Sequence, residues 1–567
     1  MNTKIIFTIV LSVLLFSLPA EARKPKNRTA KPASIEQWGR YEVSLRGPEA
    51  GNPFTDVELK ADFSLSGSDS VVTVNGFYDG DGIYRVRFMP AAAGQWKYVT
   101  HSNVPELDNK SGNFLCTPSP HMPSGMVKAD GRSFRYSDGS LYFPVGTTAY
   151  AWIHMPKDVQ RMTINSLREA QFNKIRMCVF PKHYALCKEA PECYPYEIIS
   201  DEHRKASSGS ADEGRILGEG GTVKTDGSGI TFDKTRFNPT FFRHLEHCLD
   251  SLDNIGCQAD LILFHPYDKG YWGFDGMTME ENKLYLKYVM ARVSSFRNVW
   301  WSLSNEYDYV KAKSFDDWVQ LISIVKANDP YGHLVSIHGS TATYFPYEKY
   351  ALTHTSIQDE GPVMALGRAS ILRNTYNIPV VLDEVRYEGN LSNRWGRMSG
   401  EEMLAEMWTG LTQGTYVTHG ECYQLHAGDF DTIFWAKGGP WRGESWKRIP
   451  FMRKILADLP APLQMADVSR DELTASAGEG YYLIYFRDKM QDSWTFNLPQ
   501  KDAGYARLKP GTRFKVEIID TWNMTVTPVS GLFEVGEVND YRMYDIHGRS
   551  VRLPMRPYLM LRIKRAE

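Results

Sequence analysis

Charge of one dominant sign is absent from this sequence. Its 65 Lys and Arg are balanced by 67 Asp and Glu, leaving a formal net charge of -2. Without a broad basic field, nucleic acid and anionic lipid surfaces are poor partners. Beyond the N-terminus there is no uninterrupted apolar run of about 18 residues, the length a membrane helix needs. Cysteine is scarce as well. Cys116, Cys178, Cys187, Cys193, Cys248, Cys257 and Cys422 number 7 in all, at irregular spacing. An odd, irregular set is not a disulfide framework, and no spacing suggests zinc. No cofactor or metal is expected. Cys178 and Cys248 fall in apolar patterns and read as buried hydrophobes. Cys187 and Cys193 flank a short loop and are the one pair placed to bridge in an oxidising compartment.

Aromatic residues are plentiful, at 13% of the chain with 14 Trp and 31 Tyr. Aromatic faces stack on the C–H faces of sugar rings, and they also fill cores. The N-terminus carries an export signal: Lys4, an apolar run from Ile5 to Leu18, and the A-x-A pattern Ala20-Glu21-Ala22. Cleavage is expected after residues 1–22, followed by a basic leader over 23–34. No cysteine follows the small residues, so a lipid anchor is not expected and the protein should be periplasmic or extracellular.

Three regions follow. Residues 35–120 contain short β-patterned runs, Tyr41–Arg46, Val57–Ser64, Val71–Val74, Gly82–Phe88 and Gln95–Thr100, separated by turns such as Asp79-Gly80-Asp81-Gly82. They predict a small β-sandwich. Residues 126–458 alternate strand, loop and helix. The expected strands are Tyr142–Gly146, Lys174–Phe180, Ala259–Phe264, Val299–Leu303, Leu334–Ile337, Ala351–His354, Val380–Leu382 and Tyr416–Thr418. Several are continuous apolar runs, as strands buried on both faces should be. Helix ends are marked by Asn238-Pro239, by Gly256, and by the box patterns Ser314/Asp317 and Ser399/Glu402. The pattern predicts an α/β fold, a (β/α)8 TIM barrel. Residues 463–567 return to β and predict a second sandwich. The polar stretch from Lys188 to Gly229 reads as an enlarged loop at the barrel's functional face, either shaping a pocket or lying free on the surface.

Two strand ends carry chemistry. Val299-Trp300-Trp301-Ser302-Leu303-Ser304 runs into Asn305-Glu306, and Val380-Val381-Leu382-Asp383 runs into Glu384. An isolated Asn-Glu is ordinarily a helix start or a solvated loop. Here each glutamate ends an apolar strand, at the fourth and seventh positions of the alternation, where barrel side chains project into the mouth. Two facing carboxyl groups, one protonated and one ionised, are the equipment of a retaining glycosidase. Glu421 and Asp383 are the nearest rivals for those roles. Alternation points Asp383 away from the side taken by Glu384.

These motifs resemble those of clan A glycoside hydrolases, whose acid/base follows an Asn on strand four and whose nucleophile closes strand seven. The resemblance implies Glu306 as acid/base, Glu384 as nucleophile, Asn305 on the substrate 2-hydroxyl and Arg176 in support of the nucleophile. With Phe143-Pro144-Val145-Gly146-Thr147-Thr148-Ala149-Tyr150-Ala151-Trp152, the chain is also similar to secreted Bacteroidetes enzymes described as endoglucanases or as relatives of apiosidases. Where the clan often has a strand-six Tyr, the expected strand ends in His354, which would substitute for it. Where the clan often has a strand-eight Trp, the chain reads Thr418-His419-Gly420-Glu421. His265 and His338 end strands and are candidates for sugar hydroxyls. Trp152 and Trp435 are candidate stacking platforms or core residues. The function expected is a secreted glycosidase acting on plant cell-wall oligo- or polysaccharides. A non-catalytic carbohydrate-binding protein and a transglycosylase using the same residues are the alternatives. Endo or exo action, the sugar and the oligomeric state are not legible.

Overall fold

The structure is a computed structural model that describes residues 33–566, apart from 121–123, 185, 189, 202–227, 362–366, 427–432, 469–471, 502–506 and 540. The export signal, most of the basic leader and the centre of the Lys188–Gly229 stretch lie outside the described residues.

The chain is mixed α/β. Its N-terminal part forms a seven-stranded sheet. The five expected strands are joined by Ser34–Glu36 and Ser111–Thr117, which pair in parallel at one edge. Period-two alternation turns Ala61, Phe63, Val86, Phe88, Trp96 and Phe114 inward, where they form this region's core. The C-terminal part is a nine-stranded sheet running from Gln464–Val468 to Leu559–Arg565, with Phe496, Phe514, Val516 and Phe533 inside.

Between them lie short parallel strands: β1 (Gly146–Thr148), β2 (Lys174–Cys178), β3 (Gln258–Phe264), β4 (Val299–Ser304), β5 (Leu334–Ser336), β6 (Thr355–Gln358), β7 (Val380–Glu384) and β8 (Tyr416–Val417). β1 to β5 form one hydrogen-bonded sheet and β6 to β8 another. A parallel bridge from His338 to Ser356 joins the two sheets. On the other side the His419 amide donates to Gly146 O at 2.8 Å, linking the end of β8 to β1. The residues of β2, β3, β4 and β7 are buried throughout, as strands covered on both faces are.

Helices α1 (Lys157–Ala170), α2 (Pro239–Asp253), α3 (Met279–Val293), α4 (Phe315–Asn328), α5 (Arg368–Tyr376) and α6 (Gly400–Thr412) connect most of these strands. Asn238 caps α2, and the boxes at Ser314/Asp317 and Ser399/Glu402 close reciprocally. A third box, Thr278/Glu281, starts α3. Between β5 and β6 there is only the 3-10 turn Tyr347–Tyr350, followed by Ala351 at φ +50°. That departure from regular alternation moves the sixth strand. It lies at Thr355–Gln358, not at Ala351–His354.

The hairpin Val127–Asp130/Ser133–Tyr136 sits at the N-terminal ends of the parallel strands, where Phe134 packs on Trp300, His354 and Tyr416. The Lys188–Gly229 stretch is not wholly irregular. Tyr196–Asp201 pairs antiparallel with Ile230–Phe237 as a ribbon at the opposite end. None of the seven cysteines is in a disulfide, so Cys187 and Cys193 form no bridge; Cys178 and Cys248 are buried. No helix among the described residues is long and apolar enough to cross a membrane.

The flanking sheets are fastened differently. The N-terminal turn residue Asp79 meets Arg292 of α3 at 2.8 Å and Arg243 of α2 at 3.1 Å. Glu246 of α2 meets Arg87 and Arg292, each at 2.7 Å. The C-terminal sheet instead shares apolar core with α6, through Leu483, Tyr485 and Met560 beside Met403 and Met407.

Candidate active site

Glu306 and Glu384 stand at the C-terminal ends of β4 and β7, each 8% exposed. The backbone at Glu306 is left-handed, φ +41° and ψ +58°, which turns the chain sharply out of β4 into the 3-10 helix Tyr307–Tyr309. A non-glycine residue held there is strained by about 1–3 kcal/mol and persists only where its surroundings over-determine it. The Tyr307 amide, bonded to His338 O at 2.9 Å, is one such restraint.

A chain of polar contacts joins the two carboxylates. Tyr267 donates its hydroxyl to Glu306, and Tyr150 donates its hydroxyl to Glu384. Asn305 lies between them, with Nδ2 at 3.3 Å from the Tyr267 oxygen and Oδ1 at 3.4 Å from that of Tyr150. Arg176 reaches Asn305 Oδ1 at 3.1 Å and Glu384 Oε1 at 3.9 Å. His338 Nε2 is 3.5 Å from the same Glu384 oxygen. The buried Tyr387 hydroxyl, without a hydrogen-bond partner among the described residues, lies close enough for the charge of Glu384 to raise its pKa. Gln358, at the end of β6, lies near Glu306 and 3.2 Å from His338.

The two environments differ. Burial, and then the charge of Glu384, push the Glu306 carboxyl up to about 7, against the pull of Tyr267 and Lys182. Glu384 instead faces the Tyr150 hydroxyl, the Arg176 guanidinium and His338.

Beneath the glutamates is a buried ionic layer. Lys174 lies 2.8 Å from both Asp260 and Asp383, and Arg176 approaches Asp260 at 3.5 Å and Asp383 at 3.9 Å. Burial opposes ionisation of Asp383, but Arg176 and Lys174 hold its carboxyl far below the usual range. Asp383 and Glu384 therefore lie on the same side of β7, both touching Arg176, and the expected alternation fails there. The register explains it. Ile357 pairs with Leu382 and Gln358 with Glu384, so Asp383 is the extra residue of a bulge.

The remaining expected site residues divide. His338 and Trp435 join the site, the latter packed on Tyr150 at 5.3 Å and Tyr387 at 5.4 Å. His265 does not present a free nitrogen to a sugar. Its Nδ1 accepts from the Tyr267 amide at 3.2 Å, and its Nε2 donates to Phe180 O at 3.1 Å. It anchors the loop that carries Tyr267. His354 precedes β6 and packs at the N-terminal end against Trp300, so Gln358 occupies the strand-six place at the mouth. Trp152 is 1% exposed with its indole N–H on Met177 sulfur, a core residue and not a platform. Glu421 turns to the amides of Arg442 and Gly443 at 2.7 and 2.9 Å.

Tyr150, Tyr267, Gln358, Tyr387 and Lys182 are functional-site residues that strand-end reasoning misses. Tyr150 and Tyr267 belong to motifs noted for other residues, but they lie past their strands, where period two no longer predicts direction. Among the described residues, no group of three or more His, Cys, Asp or Glu is arranged to hold a metal ion.

An apiosidase-like catalytic domain matches residues 128–427, more than half the chain. A candidate glycoside hydrolase from Bacteroides vulgatus ATCC 8482, known from a crystal structure, is 50% identical over 94% of this chain and 100% of its own, with a TM-score of 0.86. The chain belongs to the apiosidase-like family. This apiosidase-like chain is a glycosidase, with a carbohydrate as substrate. Its fold is shared at 12% identity and a TM-score of 0.53 by a family 5 glycoside hydrolase from the same bacterium, covering 78% of this chain and 94% of that one. Residues 34–103 match a domain of unknown function, DUF5060, and residues 471–564 match another, DUF5605. A search of curated proteins found no match.

Proposed function

We propose that the chain is an exported retaining glycoside hydrolase acting on plant cell-wall oligo- or polysaccharides. In this reading it is a (β/α)8 barrel between two β-sandwiches, with Glu306 as acid/base and Glu384 as nucleophile. The observation that carries it is the asymmetry of the two glutamates: one carboxyl is kept protonated near neutral pH, while the other is surrounded by donors. Glu384 attacks the anomeric carbon as Glu306 protonates the departing oxygen. Glu306, now ionised, then draws a proton from water, which releases the sugar from Glu384 with its configuration retained. Asn305 and Arg176 are adjacent to the nucleophile, where a substrate 2-hydroxyl would lie. The apolar run from Ile5 to Leu18 and the A-x-A pattern support export with cleavage near Ala22. Periplasmic protein beginning at Met1 would refute that part.

The mechanism is tested by following the anomeric configuration of products by NMR on a panel of plant cell-wall oligosaccharides. Retained configuration is expected, and an inverted product would overturn the retaining mechanism. Azide rescue assigns the roles. Glu306→Ala with an activated aryl glycoside should accumulate glycosyl-enzyme, which azide converts to a product of retained configuration. Glu384→Ala should be nearly inactive and give only inverted azide product. The opposite pattern would exchange the two roles.

A further inference from the structure

The geometry points to Lys182 as a positioning residue that serves both carboxylates through the two tyrosines bound to them. Lys182 lies beyond the end of β2 and is 1% exposed. Its Nζ makes no hydrogen bond to a described residue. Instead it sits 3.8 Å from the ring centre of Tyr150 and 3.9 Å from that of Tyr267. Tyr184 at 4.7 Å and Trp435 at 5.5 Å complete an aromatic box. These two central rings are the ones whose hydroxyls reach Glu384 and Glu306. A cation on the face of a phenol is attracted by the ring and polarises the O–H, making it a stronger donor. One ammonium thus fixes the spacing of both rings and strengthens both bonds.

The arrangement fits the proposed retaining cycle, on which this part of the inference rests. At the start the negative charge is on Glu384 and the proton on Glu306. When Glu384 forms the bond to the anomeric carbon and the C–O bond to the leaving group breaks, the Glu306 proton goes to the leaving oxygen. The pair still carries one negative charge, now on Glu306. The second step returns it. A cation placed between the two donors stabilises either location, so it need not move as the charge does.

The groups facing Lys182 are few. Cys178 comes from β2, Cys187 from the following segment, and Glu306 and Glu384 from the ends of β4 and β7. Besides the three tyrosines of the box, His265, beyond β3, is a further ionisable neighbour, and burial holds it neutral. Burial draws the Lys182 ammonium below the ordinary lysine range, and the thiols and carboxylates oppose that shift. Removing the positive charge should raise the pKa of Glu306, because the ammonium favours its ionised form.

The test compares wild type, Lys182→Met and Lys182→Arg on the oligosaccharide that wild type cleaves best. The basic limb of kcat/KM against pH should move up by about one unit in Lys182→Met. At pH 7 kcat should fall roughly tenfold to a hundredfold. Lys182→Arg should keep the limb near its wild-type position. In a Lys182→Met/Tyr267→Phe double variant the two effects on the limb should not add, because they share one path. A Lys182→Met enzyme with the wild-type limb, whatever its melting temperature, would reduce Lys182 to packing and overturn the inference. So would a Lys182→Arg limb displaced as far as that of Lys182→Met. The anomeric configuration of the wild-type product, read in the same digests, judges the retaining mechanism separately. Glu306 is the proton donor in either stereochemistry.

Discussion

At the scale of single residues, the site is built from neighbours that differ only in what surrounds their carboxyl groups. Glu306 and Asp383 are both buried, yet one is pushed up to about 7 and the other held far down. The first has another carboxylate beside it. The second has Lys174 and Arg176. Activity should therefore fall as pH rises through about 7, where Glu306 loses the proton it must donate. Glu421 and Glu406 are also raised to about 7, so the limb alone does not identify its owner. Glu306→Gln decides it. Measured as kcat/KM on an activated aryl glycoside, the basic limb should disappear in that variant. A limb that survived unchanged would belong to another group.

At the scale of elements, the reading from sequence succeeded where a strand or helix is regular. The runs of β3, β4 and β7 and the boxes at Ser314 and Ser399 are local patterns, and each is found where the pattern put it. Reading failed where regularity does. The sixth strand was displaced because a 3-10 turn stands in place of a helix, and with it His354 was mistaken for the residue at the mouth. Alternation failed at Asp383 because a bulge adds a residue. The two tyrosines and Lys182 escaped notice because they lie on irregular segments, directed by packing between distant parts of the chain.

The same packing makes a testable demand on Gly420. A Cβ there would fall 2.0 Å from Cδ1 of Tyr387, a close neighbour of Glu384. Gly420→Ala should displace that ring and lower kcat roughly tenfold to a hundredfold, since small misplacements of a site cost about that much. Far-UV circular dichroism should be unchanged. Wild-type turnover would show that Tyr387 does not steer the nucleophile.

At the scale of the whole molecule, the flanking sheets hold the central region by unlike means. Asp79 belongs to a turn that the sequence marks only as a turn, and its ion pairs to α2 and α3 required the fold to be seen. Removing one member of such a buried network leaves its partners uncompensated, at a cost of about 3–5 kcal/mol. Asp79→Ala should therefore lower the midpoint of denaturant unfolding, while kcat at 25 °C stays within twofold of wild type. A folded variant that lost several hundredfold in kcat would mean that the N-terminal sheet takes part in the chemistry.

The lack of disulfides among the cysteines has a practical meaning for how the enzyme is made. Burial pushes the thiols of Cys116 and Cys178 up to about 11 and that of Cys248 to about 12, so they are poor nucleophiles at neutral pH. No covalent crosslink has to form for the chain to reach its native state, and no oxidant or disulfide-handling catalyst is needed. Protein produced without residues 1–22 in a reducing cytosol should match protein produced under oxidising conditions in kcat and melting temperature, and dithiothreitol should shift neither. The catalyst is then indifferent to the redox state of its surroundings, and an environment empty of oxygen would leave its maturation untouched.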